Sequence, residues 1–220
     1  MSRPLRDMQR LLAGLYDAPI DLDVADFLLR DRRRCTAGAP ATRAHASDEQ
    51  VLIVEDAQGV SIGLFIDAQV LERLERRDPL QWLDDDNLAD YCTALEGVSH
   101  FHYLIWSLRR GRSVSLLELE LQAEVDKYAT ALALLTRQRG GRFPAALHER
   151  MFGAVSYLPD LDEVSRRRYE EANRQAARYC RRLDERYLRP RRLRPEMWLA
   201  ELREFFRRGH QEKIRRLALA

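Results

Sequence analysis

The sequence predicts a predominantly α-helical α+β protein, a helical bundle around a central α-hairpin with one small antiparallel β-hairpin. Three observations predict it. Residues 87–135 hold two long helical segments, NLADYCTALEGVSHFHYLIWSLRRGR and SVSLLELELQAEVDKYATALALL. The turn of about four residues between them makes antiparallel neighbours of the two helices. Residues 162–188 carry Tyr169, Ala172, Ala176, Tyr179, Leu183 and Tyr187 at helical spacing among Arg and Glu, the mark of a long amphipathic helix. One stretch only, VLIVE then DAQG then VSIGLFID, alternates in the manner of two strands joined by a glycine-bearing turn.

The elements follow in chain order. Leu5, Met8, Leu11, Leu12, Leu15 and Tyr16 recur at helical spacing, and Asp21 or Asp23 is placed to cap a second short helix through Val24, Phe27 and Leu28. Residues 31–47 turn to Arg, Ala, Gly, Pro, Thr and Ser without apolar period, so a mobile loop is expected there. In the hairpin Val60, Ile62, Leu64 and Ile66 alternate; a two-stranded ribbon is marginal alone, so it must pack on helices or recruit another strand, from the N-terminal region or a partner. Residues 68–83 read as a helix interrupted by Pro79. Asp85 or Asp86 is placed to cap the helix from about Leu88 to Leu108, and Gly111 lies where it should end. Ser115 with Glu118 forms a capping box, flanked by a Val114 and Leu119 staple. Pro144 opens a helix through Leu147, Met151 and Val155. Pro190 and Pro195 forbid a continuous helix through YLRPRRLRP, and Pro195 starts another that buries Trp198, Leu199, Leu202 and Phe206 and stops near Gly209. Phe205, off that stripe, is read as core or as a helix-in-groove contact. A short last helix spans 210–219.

Composition narrows the class. A chain of 220 residues with 45% hydrophobic content is ordinary for a globular protein. It reads as one compact unit, with residues 1–47 as N-terminal helices and loop and 48–220 as the α+β helical domain. No apolar run approaches the roughly 20 residues of a membrane span, and the N-terminus lacks a secretory pattern, so a cytoplasmic location without membrane partners is expected. Cys35, Cys92 and Cys180 are odd in number and widely spaced, which argues against a disulfide framework or zinc ribbon.

The net charge of +2 conceals an asymmetry. Residues 1–135 hold 15 Lys+Arg against 23 Asp+Glu, a net −8, and residues 136–220 hold 22 against 12, a net +10. Two such halves fold against each other or offer charged faces to partners. Only Lys127 and Lys213 are lysines among 37 basic residues, a skew that GC-rich codon usage accounts for.

The chemistry-bearing residues concentrate in 87–135. The polar arc of the first helix reads Cys92, Thr93, Glu96, Ser99, His100, Tyr103 and Ser107 in place of a Lys/Glu solvent face. Glu96 and His100 lie about 40° apart in projection, with Tyr103 and Ser107 in the same arc. On the second helix Glu118 projects into the apolar face of Leu117, Leu121, Tyr128 and Leu132, with Gln122 beside it. If the stripes face each other, Glu96, His100 and Glu118 form a two-carboxylate, one-imidazole set suited to Mn, Fe or Zn, with Tyr103 and Gln122 supporting the ligands from behind or transferring protons. The plainer reading pairs Glu96 with His100 and leaves Glu118 to its capping box. Di-metal bundles repeat Glu-x-x-His on two helices, whereas Glu-x-x-x-His occurs here once.

Elsewhere Arg186, Arg189, Arg191, Arg192 and Arg194, threaded with Tyr187, form the densest basic cluster, suited to phosphates with a stacked base or to an acidic partner. The spacing of Arg142 and His148, over a stretch of seven residues, resembles that of the Arg/His pair of HEPN-type ribonucleases, although Pro144 sets Arg142 ahead of the helix. No phosphate-cradling glycine loop, GxSxG or HExxH occurs, which argues against a nucleotide-hydrolysing motor and a serine hydrolase. The sequence therefore favours a non-catalytic interaction or regulatory protein, whose partner is another protein or a second copy in a homo-oligomer. A metal-dependent enzyme on Glu96, His100 and Glu118 is the first alternative, and a nucleic-acid binder the second.

Overall fold

The computed structural model describes residues 3–29, 48–56, 59–153, 155, 157, 159, 161–189 and 194–218. Within them run α1 (Arg3–Tyr16), a 3-10 turn (Val24–Phe27), β1 (Leu28–Leu29), β2 (Glu49–Asp56), β3 (Gly59–Ile66), α2 (Ala68–Arg76), α3 (Leu88–Leu108) and α4 (Leu116–Gln138). Then come α5 (Leu147–Phe152), α6 (Glu163–Leu183), a π-helical segment (Asp184–Leu188), α7 (Pro195–Arg207) and α8 (His210–Ala218). The chain is predominantly helical with a small sheet, as its patterning predicts. The expected loop at 31–47, together with Cys35, Arg191 and Arg192, lies outside the described residues.

The sheet has three strands in the order β1-β3-β2 and is mixed, which amends the expected lone antiparallel hairpin. β2 and β3 pair antiparallel, with Glu49 opposite Ile66 and Asp56 opposite Gly59. β1 adds parallel to β3, Leu28 opposite Leu64. A bare two-stranded ribbon is marginal, and the N-terminal region supplies the third strand. The expected second helix consequently stops short: Asp23 accepts from the Ala25 N–H, one 3-10 turn follows, and Leu28 is already extended.

Helix α3 is the axis of the molecule, contacting α1, α2, α4 and two strands. Every residue from Gly97 to Ser107 is buried, so polar and apolar side chains alike face protein. Its N-terminus departs from expectation. Asn87 is the cap residue, and its amide donates to the Trp82 carbonyl at 2.8 Å. Asp84 and Asp86 instead bind Arg77, and Asp85 pairs with Arg150, because arginines compete for these carboxylates more strongly than a helix end does. At the other end Gly111 has φ +66°, and the Arg112 N–H reaches back to Ser107 at 3.1 Å, a left-handed stop suited to glycine.

Gly97 fixes how closely the sheet approaches. A Cβ there would lie 2.7 Å from Leu64 Cδ1 and 2.8 Å from Glu49 Cγ. Its bare backbone thus lets β2 and β3 sit on α3 and brings Glu49 beside His100.

One apolar cluster runs from Leu5 of α1 to Leu217 of α8. Tyr16 stacks on Phe206 at 4.2 Å, tying α1 to α7. Phe205 is fully buried and stacks on Tyr179 at 4.1 Å, so it belongs to the core and is no groove contact. No helix among the described residues is long and apolar enough to cross a membrane.

Candidate functional site

α4 carries polar residues on two opposite faces. Glu118, Gln122 and Asp126 fall within an arc of about 80°, and Glu120, Glu124 and Lys127 occupy a second arc about 180° to 240° from Glu118. Both arcs are inside the molecule because α3 and α6 pack along α4 and α1 and α5 add to its cover. α3 contributes to each: Ser99 and Tyr103 turn to the first arc, Glu96 and His100 to the second.

The second arc forms an ionic centre. His100, 8% exposed, lies between Glu49 on its Nδ1 side and Glu120 on its Nε2 side, each at 3.5 Å. Nε2 makes no hydrogen bond at that distance and angle. Lys127 Nζ donates to Glu96 at 2.8 Å and to Glu124 at 2.9 Å, and Arg168 of α6 reaches Glu120 at 3.6 Å. Burial opposes the charged imidazole, but Glu120 and Glu49 outweigh it and raise the His100 pKa well above its ordinary value. Burial likewise works against the Lys127 ammonium, and Glu124 and Glu96 more than restore it. Glu96 is held below the usual carboxylate range, because Lys127 and His100 overcome its desolvation. Donor atoms of Glu96, His100 and Glu120 lie within 4.8 Å of one another.

The first arc forms a chain of hydrogen bonds through the core. Tyr16 and Ser99 donate to Asp126 at 2.5 and 2.6 Å, and Gln122 Nε2 donates to the same carboxylate at 2.6 Å. Lys213 Nζ of α8 donates to Gln122 Oε1 at 2.6 Å and to the Tyr103 hydroxyl at 2.8 Å. Tyr103 in turn donates to Glu118 at 2.6 Å, where Arg112 also arrives at 3.0 Å. Burial pushes the Asp126 carboxyl up to about 6, against the hydrogen bonds of Ser99, Tyr16 and Gln122. Burial also brings the Lys213 amine down to about 7, against the attraction of Glu118 and Asp126.

Of the residues the sequence singled out as ligands, Glu96 and His100 come together and Glu118 does not join them. Glu118 is buried as expected, and its backbone N–H takes the Ser115 cap at 3.2 Å. Its carboxylate, however, turns to Tyr103 and Arg112 instead of returning to the cap. The carboxylate beside His100 is Glu120, about 200° around α4 from Glu118. Tyr103 and Gln122 meet at Lys213, away from His100. Sequence reasoning missed Glu49, Glu120, Glu124 and Arg168 in one centre and Asp126, Tyr16 and Lys213 in the other.

The arginine cluster is drawn partly inward. Tyr187, expected to be available for stacking on a base, is buried and donates to Glu201 at 2.6 Å. Arg186 lies 5.2 Å over the Tyr187 ring and 3.7 Å from Glu201, and the backbone N–H groups of Arg189 and Arg194 bond Asp184 and Tyr187 carbonyls. The two charged halves also meet: Arg150 pairs with Asp85, Arg168 with Glu120 and Arg207 with Asp17. His148 donates through Nε2 to the Ala177 carbonyl at 2.8 Å, while Arg142 stays exposed in the preceding turn. His102 likewise donates to the Ala18 carbonyl at 2.9 Å, and burial lowers its pKa to about 4. Cys92 and Cys180 are free thiols, and burial pushes Cys92 up to about 12. No protein-family model, curated protein or solved structure matches this chain, so its chemistry is read from these two centres alone.

Proposed function

We propose that this is a divalent-cation-binding regulatory protein whose cation is held by Glu96, His100 and Glu120. The observation that carries the reading is His100 Nε2, a buried ring nitrogen without a hydrogen bond that faces the Glu120 carboxylate. Glu49 on the Nδ1 side would orient the ring, the usual part of a carboxylate beside a metal-bound imidazole. Charge is compatible with it: His100 is held protonated by Glu120 and Glu49, and a divalent ion would take the place of that proton, leaving a neutral imidazole and the charges of Lys127 and Arg168 against the four carboxylates Glu49, Glu96, Glu120 and Glu124. His100 Nε2 and Glu120 are already near the spacing of two donors about 2.1 Å from one ion; Glu96 has to approach by on the order of 1 Å. Mixed nitrogen and carboxylate donors suit Mn, Fe or Zn.

Glu49, His100 and Glu120 are all buried, a setting that favours a regulatory or structural cation over a substrate-activating one. The groups around His100 come from β2, α3, α4 and α6, so the ion would fasten the sheet to the helix pair. β2 is the longer of the two edge strands, and its position is the feature such a cation would control for a partner.

Elemental analysis of protein purified without chelator, followed by calorimetric titration with Zn and Mn, tests the proposal. The expected result is about one equivalent per chain, with affinity falling at least about tenfold in His100→Ala and Glu120→Gln and unchanged in Glu118→Gln. Substoichiometric metal together with no titratable binding would overturn it. So would equal effects of the Glu118 and Glu120 substitutions.

A further inference from the structure

We propose that Lys213 is an imine-forming lysine, and that the adjoining groove admits a small aldehyde or ketone to it. Lys213 is fully buried on α8, yet both groups bonded to its nitrogen are neutral: the Tyr103 hydroxyl at 2.8 Å and Gln122 Oε1 at 2.6 Å. The Tyr103 and Phe205 rings lie 4.2 and 5.0 Å from the nitrogen. Lys127, the other lysine, differs in the decisive respect, because two carboxylates grip it as an ammonium.

The charged groups facing Lys213 are Glu118 and Asp126 of α4 and Arg112 of the α3–α4 turn; Tyr103 of α3 is its titratable hydrogen-bond partner. Its surroundings leave the amine substantially unprotonated near neutrality, the state in which lysine is a nucleophile. Beside it lies a groove of about 520 Å³ lined by Gly111, Arg112, Ser113, Ser115, Glu118 and the Gly209–Glu212 start of α8. Glu118 and Arg112 both line that groove and bond to Tyr103, so they stand between a groove ligand and the amine. α8 buries Lys213 and Leu217 among its described side chains, a light anchorage that permits local opening.

The nitrogen lone pair attacks the carbonyl carbon and the C=O pair moves to oxygen, giving a carbinolamine once a nitrogen proton passes to that oxygen. Loss of the hydroxyl with the remaining nitrogen proton then gives the imine and one water, with no net oxidation. Tyr103, hydrogen-bonded to Lys213 and tied to Glu118, positions the amine and is placed to relay these protons.

Reductive trapping tests the assignment. The full chain is incubated at pH 7 with glyoxylate and sodium cyanoborohydride, and peptide mapping reads the N-terminus, Lys127 and Lys213 separately. Lys213 is expected to be trapped at least about tenfold faster than Lys127, and faster in the native protein than in urea, where its amine regains ordinary basicity. Its rate should rise with pH to a plateau just above pH 7, and Tyr103→Phe should slow it. If Lys213 remains unmodified while the N-terminus reacts, the proposal fails. It fails equally if Lys213 reacts no faster in the native protein than in urea, because that is the behaviour of an ordinary lysine exposed by unfolding.

Discussion

Replacing Lys213 by methionine should stabilise the protein at neutral pH and destabilise it near pH 10. Burial takes the Lys213 pKa from 10.5 down to about 7. A group depressed in the folded state contributes stability that is complete above its unfolded pKa of 10.5 and is lost as pH falls through its folded pKa near 7. At about 1.4 kcal/mol per unit, keeping this amine buried costs about 4 kcal/mol at pH 7, about 2 at pH 9 and under about 1 at pH 10. Methionine fills a similar volume without charge. It also leaves Gln122 Oε1 and the Tyr103 oxygen without their donor, a loss of about 1–3 kcal/mol. The difference is a net gain of about 1–3 kcal/mol at pH 7, shrinking by about 1 kcal/mol per pH unit as pH rises and negative by about pH 10. Urea unfolding of parent and variant at pH 7, 8, 9 and 10, followed by circular dichroism, measures this directly. A stability difference independent of pH, or a less stable variant at pH 7, would refute the argument that a desolvated lysine amine lies at the base of α8.

Three further outcomes are expected. Gly97→Ala should cost about 1–3 kcal/mol in thermal unfolding, since its Cβ would press on Leu64 and Glu49, and it should weaken cation binding by moving Glu49; a neutral result would mean the sheet is not seated closely on α3. Asp126 has its folded pKa raised from 3.8 to about 6, so its contribution is complete below pH 3.8 and lost as pH rises through about 6. Between those limits it accounts for a decline of about 3 kcal/mol, and Asp126→Asn should remove that slope from the urea stability profile. Glu201→Gln should destabilise by about 1–3 kcal/mol, because this buried carboxylate accepts from Tyr187 at 2.6 Å with Arg182, Arg186 and Arg216 within 3.7 Å; an unchanged melting temperature would show that the arginines repartner with solvent.

Much of the fold was legible because local rules govern it. The capping serine at 115, the left-handed stop at Gly111 and the proline that opens α7 each act within one turn, and each starts or ends an element where it was expected. Acids at 84–86 misled, because arginines distant in sequence claimed them. Among site residues, the sequence could name Glu96, His100, Tyr103, Gln122 and Glu118 as unusual for their faces. It could not sort them. Glu96 and Tyr103 share an arc on the α3 wheel but sit about 10 Å apart along the helix axis, so they meet different turns of α4. A clue to the second centre was visible in the composition: in a chain that uses arginine almost throughout, both lysines, Lys127 and Lys213, turn out to be buried.

By itself the sequence determined that the chain is predominantly helical with a small sheet, where α4 and α7 begin and α3 ends, and that polar groups would be trapped between elements. Apolar period, caps and turn residues are local properties, readable one window at a time. Only tertiary structure decided which carboxylate stands at His100 and which lysine reaches Tyr103. Those pairings depend on how the sheet, α6 and α8 close around α3 and α4, and closure is set by the shape of the whole core, which no single window of residues contains.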